Sequence, residues 1–139
     1  KNGPPPEINL FNEKNNGEII LKLIEKKFIK SAHDVSLGGI ITALSKMCIK
    51  GNKGAILNKP NYLINQFEYL FGEDQGRYIV EIDKNDLKNV TGILEKNLVH
   101  YDLLGTVGDN ELIIDDKSKV SIEDLIKSHT TWLTNYMDK

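Results

Sequence analysis

The sequence predicts an α+β domain, a single mixed and largely antiparallel sheet packed with helices, and three observations carry that prediction. Apolar residues recur at helical spacing in several separate stretches, and short β-favouring runs lie between them. The third is Gly108-Asp109-Asn110 between two apolar runs, three residues suited to positive φ and hence a β-hairpin signal. A hairpin requires antiparallel neighbours, which disfavours a purely parallel, doubly wound sheet.

The elements follow in order. Lys1-Asn2-Gly3-Pro4-Pro5-Pro6 resists helix, so residues 1–10 read as an extended connector. Ile20, Leu23, Ile24 and Phe28 give a first helix one apolar face, over roughly Asn16 to Lys27. Ile29 to His33 is a short strand, and Asp34 and Ser36 supply the short oxygens that favour a turn and cap a following helix. Leu37, Ile40, Ile41, Leu44, Met47 and Cys48 form the clearest amphipathic stripe, ending near Lys50-Gly51. Gly54 to Leu57 makes a second strand, and Leu63, Ile64, Phe67, Leu70 and Phe71 mark a third helix closed by Gly72. Arg77 to Ile82 alternates as a strand, and Leu87, Val90 and Leu94 mark a fourth helix that tolerates Gly92. Leu103 to Val107 and Glu111 to Ile114 are the arms of the hairpin. Ser121 with Asp124 three residues on resembles a capping box and opens a last helix bearing Ile122, Leu125, Ile126, Leu133 and Tyr136.

At 139 residues the chain is long enough to bury a real core, and 40% hydrophobic with 27% charged is ordinary globular composition. A formal net charge of -2 with interspersed signs provides no field to gather nucleic acid or coat an anionic membrane, so neither is an expected partner. No apolar tract is long enough to span a bilayer, and the lone Cys48 sits on an apolar helix face as a buried small hydrophobe; a reducing cytoplasm is the expected setting. The opening without methionine leads to the expectation that a further subdomain precedes residue 1.

Two constellations carry candidate chemistry. His33-Asp34-Val35-Ser36-Leu37-Gly38-Gly39 falls where a strand gives way to a helix, where free backbone amides point outward and glycines admit an anion closely. Ser36, Gly38, Gly39, His33 and Asp34 are therefore phosphate- or nucleotide-facing candidates; the other reading is an ordinary capped junction with a hydrogen-bonded structural histidine. Phe71-Gly72-Glu73-Asp74-Gln75-Gly76-Arg77-Tyr78 is a dense polar loop entering an apolar strand. Glu73, Asp74, Gln75 and Arg77 are candidates for an auxiliary, substrate-like loop, with Arg77 offering a planar fork for carboxylate or phosphate. The alternative is that Arg77 pairs with Glu73 or Asp74 at a strand edge. His100 and His129 lack metal-ligand spacing, so no metal site is expected in this chain. Trp132 and Tyr136 read as core or as the apolar face of an interdomain contact.

Together, Ser31 to Gly39, the following Ala43-Leu44-Ser45-Lys46-Met47 and Leu70 to Tyr78 resemble the phosphoribosylformylglycinamidine synthase (PurL) family. The proline lead-in, Leu104-Gly105-Thr106-Val107-Gly108 and the tryptophan-bearing last helix match the family's last domain in order and spacing. The resemblance implies a PurM C-terminal-like fold over residues 1–139. It implies a parent ligase that uses ATP and Mg2+ to convert formylglycinamide ribonucleotide to its amidine, with ammonia drawn from glutamine. It places the catalytic histidine and magnesium ligands outside this chain, and so no catalytic residue, ATP or metal within it. The family's first half carries a Glu-Ser-Gln run that touches substrate, and Glu73-Asp74-Gln75 is its cousin here.

Two departures favour scaffold over site: Leu37 stands where the family usually has Asp, and is expected to pack inward, and Asp74 stands where serine is frequent. Implied partners are the rest of the same polypeptide, a separate glutaminase subunit, since no glutaminase domain follows the last helix, and a small PurS-type subunit. Aminoimidazole ribonucleotide synthetase and a stand-alone nucleotide-binding or protein-interaction module are the alternatives. The scaffold reading requires both constellations to lie on one face.

Overall fold

A computed structural model describes residues 7–58, 65–115 and 118–138. The chain divides into two compact units, residues 1–43 with 65–102 and residues 44–64 with 103–139.

The first unit holds α1 (Leu10–Glu25), β1 (Ile29–Asp34), the opening of α2 (Gly39–Gly51), α3 (Gln66–Phe71), β3 (Tyr78–Ile82), a 3-10 turn (Lys84–Asp86) and α4 (Leu87–Lys96). α1 starts well before the expected Asn16, because Asn9 caps it: the Asn9 side chain accepts from the Asn12 N–H at 3.0 Å. β1 and β3 pair antiparallel, Ala32 opposite Val80 and Asp34 opposite Tyr78, with an irregularity between Ile29 and Ser31. Ile19 and Leu23 of α1 and Val90 of α4 are buried together, with Phe28, Ile29, Ile82, Ile93, Leu94 and Val99 packed around them. Each fully buried aliphatic side chain there contributes roughly 2 kcal/mol.

The second unit holds the rest of α2, β2 (Gly54–Leu57), β4 (Gly105–Gly108), β5 (Glu111–Ile113), β6 (Lys119–Ser121) and α5 (Ile122–Met137). Its sheet runs β4-β2-β5-β6, antiparallel except for the parallel β2–β5 pair. The expected hairpin across Gly108-Asp109-Asn110 does not form, because β2 lies between its two arms. Gly54 makes this possible: its N–H donates to the Asp109 carbonyl at 2.8 Å, and a Cβ there would run into the Glu111 backbone. β6, which the sequence reading lacked, is the strand that pairs β5 antiparallel.

The α+β class and the mixed, largely antiparallel pairing hold. The described strands, however, form two sheets, of two and four strands, where one was expected. The cause is that the apolar run after Tyr101 pairs with β2 alone and none of it extends the β1–β3 ladder. Among the described residues no helix is long and apolar enough to cross a membrane. The proline lead-in and the Leu63–Ile64 start of the expected third helix lie outside the described residues.

Candidate functional site

Antiparallel pairing puts the end of β1 beside the start of β3, and this alone brings the two sequence motifs together at one end of the ladder. The Val35 N–H continues the pairing by donating to the Arg77 carbonyl at 2.9 Å. Beyond it the chain turns, with the Gly39 N–H donating to the Ser36 carbonyl at 2.9 Å. Gly38 and Gly39 follow at φ of +82° and +68°. Gly39 also needs its missing Cβ for a second reason: that atom would sit 2.6 Å from the Leu70 carbonyl oxygen and 2.7 Å from the Phe71 backbone. The glycine pair thus lets the start of α2 lie directly against the end of α3.

This geometry corrects the reading of Leu37. The residue is 80% exposed and does not pack inward, because it precedes the two positive-φ glycines and so stands outside the α2 periodicity.

The two loops are also tied by a charged group. The Gly38 N–H donates to Glu73 Oε1 at 2.7 Å, so a carboxylate of this chain already occupies the amide that was read as anion-facing. Arg77 turns into its own loop: its guanidinium donates to the Gly72 carbonyl, its Nε donates to the Asp74 carbonyl at 3.3 Å, and it pairs with Asp74 Oδ2 at 3.3 Å. Its fork is spent on the 72–77 turn, closer to the strand-edge pairing than to a free anion grip.

An open cleft of about 210 Å3 runs between the loops, lined by Asp34 and Ser36 on one side and by Glu73, Gln75 and Arg77 on the other. Tyr78 and Glu13 complete it. Glu13 comes from α1, which is also anchored there by Asn16 Nδ2 donating to the Gly76 carbonyl at 3.0 Å. Glu13 Oε1 is buried without a hydrogen-bond partner among the described residues, and no local pattern in the sequence singles this residue out. His33 lies beside the junction, with Nδ1 2.6 Å from the Asp34 carbonyl oxygen and 3.3 Å from Asp34 Oδ1, the contacts of a hydrogen-bonded structural ring. Among the described residues no group of three or more His, Cys, Asp or Glu side chains is placed to hold a metal ion.

Away from the cleft, Cys48 is buried, and desolvation pushes its thiol pKa up, which suits packing and not nucleophilic attack. Trp132 and Tyr136 are 61% and 69% exposed, which overturns the core reading of these two aromatics. They sit on the last two turns of α5, whereas Ile122 in its first turn is buried.

Comparison with known proteins bears on the same residues. Residues 2–117 match the family model described as AIR synthase related protein, C-terminal domain. The chain is 81% identical over 138 residues to phosphoribosylformylglycinamidine synthase subunit PurL of Pelagibacter ubique, covering 99% of this chain and 19% of that protein. It is 37% identical over 135 residues to the PurL subunit of Bartonella bacilliformis, covering 97% of this chain and 18% of that one. The chain therefore spans about a fifth of the length of these relatives. Among solved structures, PurLQS from Thermotoga maritima matches 87% of this chain and 22% of its own, at a TM-score of 0.75 and 25% identity. Thermotoga maritima PurL complexed with FGAR matches 86% of this chain and 21% of its own, at a TM-score of 0.73 and 24% identity, a likeness of fold. Motifs, fold and family match agree, and the chain belongs to the AIR synthase related protein, C-terminal domain family.

Proposed function

We propose that this chain is the carboxy-terminal, PurM-like domain of a phosphoribosylformylglycinamidine synthase, and that it serves there as a scaffold whose reacting groups lie elsewhere in a longer polypeptide. On this reading the residues before α1 connect to a preceding subdomain, so the expected connector of residues 1–10 is shortened by Leu10, which opens the helix. The longer enzyme is a carbon–nitrogen ligase that converts formylglycinamide ribonucleotide and ammonia, drawn from glutamine, to the amidine in purine biosynthesis. The high identity to PurL subunits supports the parent, and the Thermotoga structures complexed with FGAR and with ATP support its ligands.

The observation that carries the scaffold role is the engagement of Gly38 by Glu73 and of the Arg77 fork by its own turn. Two groups suited to grip a phosphate, the Gly38 amide and the Arg77 guanidinium, are engaged internally, and no group of three or more described His, Cys, Asp or Glu side chains is placed to hold a metal. On this reading ATP and Mg2+ are held by the longer polypeptide, and no step of the reaction is assigned to this chain. What the chain contributes on this reading is a junction whose cleft is lined by Asp34, Ser36 and Gln75 among others. The partners on this reading are the rest of the polypeptide, a glutaminase subunit and a PurS-type subunit, a reading that the solved PurLQS of Thermotoga maritima supports; the setting on this reading is the cytoplasm.

The test is an assay with formylglycinamide ribonucleotide, ATP, Mg2+ and ammonium. The longer polypeptide containing this segment should turn over and the 139-residue chain should not. Turnover by the chain alone would overturn the scaffold role, and no turnover by the longer polypeptide in complex with its glutaminase would overturn the parent.

A further inference from the structure

We infer that Glu73 is the internal acceptor of the Gly38 amide in the turn that leads into α2, and that Arg77 is the positioning residue that keeps it there, so that this amide is closed to external phosphate. This deepens the scaffold reading and rests on it. A backbone amide in a glycine turn at a helix start attracts negative charge when no group of the chain meets it. Here the Glu73 carboxylate takes the Gly38 amide at 2.7 Å, a short, charge-assisted bond.

Glu73 is exposed and on a loop, so its side chain would otherwise sample several rotamers. What restrains it is the backbone of the 72–77 turn. The Arg77 guanidinium holds that turn from both sides through the carbonyls of Gly72 and Asp74, which directly flank Glu73. Asp74 Oδ2, 3.3 Å from the guanidinium, balances its charge. Arg77 itself is tied to the first motif by its carbonyl, which accepts from the Val35 N–H. A lysine could satisfy one of these carbonyls but not both with a single planar group. Arg77 therefore acts on Gly38 without touching it, through the placement of Glu73.

The test is amide NMR on the 139-residue chain, reading the Gly38 resonance and its hydrogen exchange. Inorganic phosphate added to the wild type should leave Gly38 in place. In Glu73→Ala the Gly38 amide should exchange about tenfold faster, the loss of one charge-assisted bond. Arg77→Met should speed the same amide although it removes no group bonded to it, and Arg77→Lys should recover only part of the protection. Amides in the second half of α2, such as Cys48, report whether each variant stays folded. A saturable shift of Gly38 with phosphate in the wild type would overturn the exclusion of anions. Unchanged Gly38 exchange in a folded Arg77→Met would overturn the positioning role. Where a variant does not fold, the phosphate titration of the wild type decides the matter alone.

Discussion

The loop pair at the β1–β3 end and the last two turns of α5 are opposite solutions to exposure. In the loops, polar groups that could face a ligand face each other: Gly38 meets Glu73, and Arg77 meets the carbonyls of its own turn. In α5, apolar groups that could face a core face outward: Trp132, Leu133, Tyr136 and Met137 are all exposed. The difference shows that a motif rich in chemistry can be spent on architecture, while a plain amphipathic stripe can be left unsatisfied. Packing, and not residue type, decides which of the two a segment becomes.

The sharpest way to break this contrast is at the close approach in the loops. Gly39→Ala places a Cβ against the Leu70 and Phe71 backbone in a left-handed conformation, and should cost about 3 kcal/mol in urea unfolding of the chain. Glu73→Ala removes an exposed but charge-assisted bond and should cost about 1 kcal/mol in the same measurement. On α5 the sign of the comparison reverses. Trp132→Ser should change the stability of this chain by no more than about 0.5 kcal/mol, since the ring packs on little within it. The smallest effect concerns the Lys30–Asp83 pair, whose Nζ–Oδ2 distance is 2.9 Å. The hydrogen bond from Lys30 holds the Asp83 carboxyl below its usual range, and the same bond raises Lys30. The Asp83 contribution is present above the unfolded carboxylate pKa and is lost as pH falls through the depressed folded value. The Lys30 contribution is present below the unfolded lysine pKa and is lost as pH rises through the raised folded one. The pair is solvent-accessible, with the Lys30 and Asp83 side chains 56% and 40% exposed, so acid unfolding of Asp83→Asn should differ only marginally from wild type, and less so in salt.

Much of this was legible in the residues. The α2 stripe, the Gly54–Leu57 strand, α4 and the Ser121 cap all follow from local periodicity and capping chemistry, and the structure has them. The two motifs were recognisable as a pair through family resemblance, but their meeting depends on the β1–β3 register, which no local pattern encodes. The hairpin failed for the same kind of reason: Gly108-Asp109-Asn110 has the right chemistry for a turn, yet β2 inserts between the arms because Gly54 admits the Glu111 backbone. Leu37 was misread because a helical count was carried through two glycines that break it. Glu13 was invisible because its place in the cleft is set by how α1 packs, through Asn16 on Gly76, and not by its neighbours in sequence.

The central claim, that Arg77 and Glu73 form one internal device, is tested most directly by a double-mutant cycle on Glu73→Ala and Arg77→Met, read by urea unfolding. The expected result is a coupling of at least about 0.5 kcal/mol, the double variant losing less than the sum of the two single ones. Losses that simply add would contradict it and leave the two side chains as unrelated features of the same loop.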